Sequence, residues 1–197
     1  MRKWLSASLV TCGVLVLGTG VLAQTPPPAV PEVMPFDIPY GTPLTLDQAK
    51  HVAELAFAEA KRHNWKMVIS VVDPSGDLIY FERMDGAQLA SVAISQHKAR
   101  VAALFRRETK VFEDATEAGH TYVLSLDGAI ASRGGFPLVA GGKLVGAIGC
   151  SGGLGAQDYV TCKAGADSVN YNAGGAVPAV APRRPSSIAD AAARRGG

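Results

Sequence analysis

Two short apolar runs separated by five turn-forming residues constrain this chain more than any other feature. Met67-Val68-Ile69-Ser70-Val71-Val72 is β-branched, Asp73-Pro74-Ser75-Gly76-Asp77 is dense turn chemistry, and Leu78-Ile79-Tyr80-Phe81-Glu82-Arg83-Met84 is the return strand. Consecutive strands joined by so tight a turn pair antiparallel. A doubly wound parallel sheet is therefore excluded.

The flanking segments supply helices. Thr45 is placed to cap a helix from Leu46, where Leu46, Ala49, Ala53, Ala56, Phe57 and Ala60 recur at threes and fours and end near His63-Asn64. A second, alanine-rich helix is predicted over about 89–107, and a short helix or irregular segment over 109–119. Three more strands are expected, at Tyr122–Ser125, about Ala131–Leu138 and Leu144–Cys150, with Gly141-Gly142 turning between the last two. A last helix is expected over about 155–169. The order α-β-β-α-β-β-β-α reads as an α+β fold on a five-stranded antiparallel sheet.

The 197 residues divide unevenly. Residues 1–23 carry Arg2 and Lys3, an uncharged and mostly apolar stretch from Leu5 to Leu17, and small residues at Val21 and Ala23, the three-part pattern of a secretory signal peptide cleaved before Gln24. The stretch is short for a membrane anchor, so no stable membrane insertion is expected after cleavage. Residues 24–43 hold seven prolines and read as a linker. The domain proper is placed at 44–172, with a flexible Gly/Ala/Pro/Arg tail at 173–197. The formal charge of +2 hides an asymmetry: Arg2, Lys3 and four tail arginines leave the domain net acidic. No nucleic-acid partner is expected, because that needs a basic face.

Several catalytic constellations are missing. There is no phosphate-cradling G-x-x-x-x-G-K-[ST], and Gly146-Ala147-Ile148-Gly149 lies inside a strand instead of between strand and helix. Cys150 and Cys162 lack a second pair for zinc and read as small buried thiols, with one disulfide after export as the other reading. Among the histidines, His63 ends a helix, His97 lies on an apolar stripe, His51 stands one turn before Leu55 at the edge of the first helix's stripe, and His120 falls in a loop. Gly134-Gly135-Phe136-Pro137-Leu138 combines close backbone approach with an apolar wall. Ser151-Gly152-Gly153 opens a helix with N–H groups free to face an anion. Gly134, Gly135, Phe136 and Ser151 are therefore candidate pocket residues, against the plainer reading of turn punctuation.

These pieces together resemble the GlcG/HbpS family of heme-binding-protein-like domains, which also forms the C-terminal half of some cobalamin adenosyltransferases. The matching segments are Thr45-Leu46, Val71-Val72-Asp73-Pro74-Ser75-Gly76, Glu82-Arg83-Met84-Asp85-Gly86-Ala87, Lys98-Ala99, Phe136-Pro137-Leu138, Val145 to Gly153 and Gln157-Asp158. Val101 and Cys150 depart from the family, where Thr and Val are common. The resemblance implies a profilin-like three-layer α/β/α fold and homo-oligomers. Some members look like extracellular heme binders, and one branch uses a first-helix histidine as axial ligand, a role that carries over to His51 as the heme-iron ligand here.

Three readings of function follow, the last being a purely structural accessory that uses its oligomer surface. The first is an exported, periplasmic or secreted, non-catalytic protein binding heme or another small ligand. The second is a cofactor-independent enzyme acting on a small organic acid or aromatic catabolite, with Asp85 or Lys98 as base and Arg83 as carboxylate clamp.

Overall fold

The Thr45 side chain accepts a hydrogen bond from the Gln48 N–H, and the Gln48 side-chain oxygen accepts one from the Thr45 N–H, so a capping box starts helix α1 (Leu46–Arg62). Lys61 and Arg62 in its last turn complement the helix dipole. Asn64 then turns the chain with a φ of 55°. The computed structural model describes residues 36–170 and, before them, residues 30, 32 and 34. The expected signal peptide, residues 24–29, 31, 33 and 35 of the proline-rich stretch, and the expected tail lie outside the described residues.

Strands β1 (Val68–Val72) and β2 (Leu78–Arg83) form the expected hairpin. Asp73 shapes its turn by accepting hydrogen bonds from the Ser75 and Asp77 N–H groups. Helix α2 (Ser91–Leu104) and helix α3 (Lys110–Glu117) follow. Strands β3 (Gly135–Ala140) and β4 (Lys143–Ser151) are joined through Gly141 and Gly142, both at positive φ as a tight hairpin turn requires. Helix α4 (Gly155–Asn170) completes the described chain.

The sheet is antiparallel with the order β2-β1-β4-β3, four strands instead of five. The missing one is Tyr122–Ser125, which forms a 3₁₀ turn. Only Val123 of that segment is buried, and the Ser125 hydroxyl bonds back to the Tyr122 carbonyl, so local bonding holds the backbone curled. The proline-rich stretch has a docked end: the Gly41 N–H donates to the Leu144 carbonyl and the Leu144 N–H to the Pro39 carbonyl, beside β4.

Every residue of β1 is buried, because helices cover both sides of the sheet. Helices α1 and α4 pack together on one face, over Ile69, Val71, Phe136, Leu138, Ile148 and Cys150. Helix α2 lies on the other, where Val72 and Ala147 meet Ala99, Ala102 and Ala103. A Cβ at Gly149 would fall on the Ser95 carbonyl oxygen, so only glycine lets α2 come this close. Cys150 and Cys162 are not free thiols: they form a disulfide between β4 and α4, with Cα atoms 5.5 Å apart. A one-turn step along α4 from Asp158 brings Cys162 over the sheet, a proximity that spacing in sequence does not reveal. No described helix is long and apolar enough to cross a membrane.

Candidate functional site

The buried arc of α1 is made by Ala49, Val52, Ala53, Ala56, Phe57 and Ala60. At about 100° per residue, His51 falls nearly opposite the centre of that arc, on the outer side of the helix and not at the edge of its apolar stripe, as expected from the sequence. Its ring is half-buried and has no hydrogen-bond partner among the described residues. Leu55, one turn on, is 36% exposed and supplies apolar surface beside it.

The other histidines are differently placed. His63 is exposed, hydrogen-bonds Glu59 at 3.0 Å and stacks on Trp65. His97 is half-buried and engages the Gly128 carbonyl at 2.9 Å. His120 is exposed and makes an edge contact with Tyr122.

The Gly134–Ser151 constellation is internal. A Cβ at Gly135 would meet the Lys98 carbonyl oxygen and Thr109, and one at Gly134 would meet Asp158 and the Cys150 carbonyl. The close approach that these glycines permit is thus to the chain's own helices. Phe136 is buried against Tyr159, with ring centroids 4.9 Å apart. The Ser151 hydroxyl donates to Ser91 at 2.9 Å beneath α2. Two of the N–H groups expected to face an anion are already used: Gly153 donates to Asp158 and Leu154 to Gln157.

Lys98, Arg83 and Asp85 are not brought together. Lys98 is 1% exposed and donates to Asp158 at 2.8 Å, past Gly134 and Gly135 at the β3 edge. Arg83 and Asp85 are exposed at the end of β2, the opposite edge strand. Three strand spacings, about 14 Å, separate those edges. Burial pushes the Asp158 carboxyl above the usual range, opposed by Lys98 and by the Gly153 and Gly152 N–H groups.

A buried polar seam under α2 escaped the sequence reading. Ser91 meets Ser151, Ser95 meets Ser70 at 2.8 Å, and Lys98 meets Asp158. The signal was the spacing of Ser91, Ser95 and Lys98, four and three apart on one side of a helix.

Comparison with known proteins agrees with this architecture. The family model for haem degrading protein HbpS-like matches residues 44–167. GlcG of Escherichia coli K12 is 39% identical over 108 residues, covering 55% of this chain and 81% of GlcG. A double mutant of HbpS from Streptomyces reticuli superposes with a TM-score of 0.59 at 28% identity, covering 71% of this chain and 97% of that one. A PduOC:heme complex, at 24% identity and a TM-score of 0.59, shares the fold and covers 66% of this chain and 96% of its own. With nearly the whole described domain matched, the chain belongs to the HbpS-like family.

Proposed function

We propose that this protein is an exported homo-oligomer that binds heme on a profilin-like three-layer scaffold, with His51 as the axial donor. The observation that carries the assignment is the state of the four imidazoles. His63 and His97 have ring nitrogens engaged, and His120 stands exposed just before the 3₁₀ turn. His51 alone combines partial burial with a ring free of hydrogen bonds among the described residues. An unengaged imidazole beside the apolar surface of Leu55 fits an axial donor for a flat, half-apolar ligand. Family membership and the heme complex of the similar PduOC fold support the same ligand.

Heme, when bound, supplies an iron centre whose reactivity its axial ligands and pocket tune. The chain contributes the imidazole and an apolar flank. His51 faces outward from α1, so a second copy is the natural source of the opposing wall, which is why the proposal includes an oligomer. Export rests on the charged start, apolar stretch and small-residue ending of residues 1–23.

Titration of the purified protein with hemin, followed at the Soret band together with light scattering, tests the reading. A saturable band on a species heavier than a monomer is expected. A weak, unsaturable band would overturn it. N-terminal sequencing of exported material is expected to begin at Gln24.

A further inference from the structure

A cleft lies between α2 and the turn that leads into β2, away from His51. Its volume is about 310 Å³, at the small end for a ligand pocket. Val72 and Leu78 give it an apolar side, and Leu78 is 50% exposed. Its polar side is Asp77 from the turn, with Gln96, His97 and Arg100 from α2.

Three features make this more than a surface dent. The first is Arg100, which has no ion pair or hydrogen bond among the described residues, although Lys98, Lys110, Arg133 and Lys163 are all paired. Its stem is laid against the turn: a Cβ at Gly76 would sit 2.9 Å from Arg100 Cγ, and Gly76 has a φ of +85°. Glycine there both makes the turn and gives the arginine stem its seat.

The second feature is the tautomer of His97. Its Nε2 is 2.9 Å from the Gly128 carbonyl oxygen, which can only accept. Nε2 therefore carries the hydrogen, and in the neutral ring Nδ1 is an acceptor. The third is the balance of the remaining groups. The Gln96 amide donates to the Val92 carbonyl at 3.1 Å, which leaves its oxygen as an acceptor. The Asp77 N–H is held by Asp73, and the Asp77 carboxylate adds a further acceptor at the cleft.

A lining that combines one cationic fork with several acceptors is complementary to a carboxylate with a hydrogen-bond donor next to it. A simple anion would meet Asp77 unfavourably, and a simple cation would meet Arg100. We infer that this cleft binds a small carboxylate bearing a hydroxyl or ammonium on the neighbouring carbon. Arg100 takes the carboxylate, His97 Nδ1 and Asp77 accept from the donor, and Leu78 and Val72 cover the carbon chain. The inference does not rest on the heme reading and survives its failure.

The test uses the full purified protein and three probes: L-lactate, L-alanine, and propionate, which lacks the donor. Backbone amide shifts are followed by NMR. Saturable shifts confined to residues 76–78 and 96–100 are expected with lactate, alanine or both, and which of the two binds identifies the donor. Propionate is expected to bind about tenfold more weakly, the effect of one charge-assisted hydrogen bond. Arg100→Gln, at an exposed position, is expected to keep the parent's circular dichroism and lose the shifts. Three results would each overturn the inference: no saturable shift at these residues with either donor-bearing acid, propionate binding as well as they do, or Arg100→Gln binding as the parent does.

Discussion

The two faces of the sheet are covered by different means. Under α1 and α4 the packing is bulky and apolar, with Met67, Ile69, Phe136, Leu138 and Ile148 all buried. Under α2 the apolar side chains shrink to Val72, Ala99, Ala102, Ala103 and Ala147. Glycines bring the helix close there, and three buried polar pairs run along it. Apolar packing is non-directional and accepts substitutions that conserve volume. A polar pair is directional, and losing one partner leaves the other buried and unsatisfied. The first face therefore supplies most of the driving force, and the second fixes where α2 lies.

The largest test of this contrast is Lys98. Lys98→Ala leaves the Asp158 carboxylate buried without its cation and is expected to destabilise by about 3–5 kcal/mol in urea unfolding. The double change Lys98→Met with Asp158→Leu is expected to recover most of that loss. The sign of the pH effect follows from burial. A carboxyl whose folded-state pKa is raised contributes stability that is full below its unfolded value and lost as pH rises through the folded value. Without the cation the Asp158 pKa rises further, so the gap between Lys98→Ala and the parent is expected to narrow as pH falls toward the ordinary aspartate range.

On the apolar face, the disulfide closes a sequence separation of 12 residues between β4 and α4. Changing both Cys150 and Cys162 to Ala is expected to cost about 2–3 kcal/mol. Across the sheet, Ser70→Ala removes the cross-sheet partner of Ser95, whose hydroxyl keeps only its bond to the Val92 carbonyl, and is expected to cost about 1 kcal/mol and to leave α2 less firmly placed. The volume-conserving Leu138→Met on the other face is expected to cost less than about 1.5 kcal/mol. Equal losses from these last two would erase the contrast.

The smallest effect separates a buried ion pair from a partly exposed one. Partial burial pushes the Glu113 carboxyl up, but the side-chain and backbone N–H groups of Arg133 outweigh it and hold the pKa below the usual range. Its contribution is therefore present above the ordinary glutamate value and lost as pH falls through the lowered one, opposite in sign to Asp158. Glu113→Gln is expected to flatten the acid side of the stability profile, measured by thermal unfolding across pH.

The same contrast explains what the sequence revealed. The first helix, the hairpin and the glycine turn were legible because their signals are local: Thr45 caps α1 through the Gln48 N–H, and Asp73 shapes a turn five residues long. The seam under α2 was not, since Ser70–Ser95 and Ser91–Ser151 join residues 25 and 60 apart. Serine in a strand or helix gives no sign of its partner. Tyr122–Ser125 misled because a run of bulky residues fits a strand, whereas one buried Val123 cannot anchor one. Of the candidate site, the role of His51 came from resemblance. The burial of Lys98, Phe136 and Ser151 depended on contacts that only the folded chain shows.

The heme reading depends on His51 more than on any other residue, and one comparison tests it most directly. Hemin is titrated into the parent, His51→Ala and His63→Ala under the same conditions, with circular dichroism and light scattering as controls. The account predicts that His51→Ala loses most of the Soret shift with fold and mass unchanged, while His63→Ala binds as the parent does. Parent-like hemin binding by His51→Ala would contradict it.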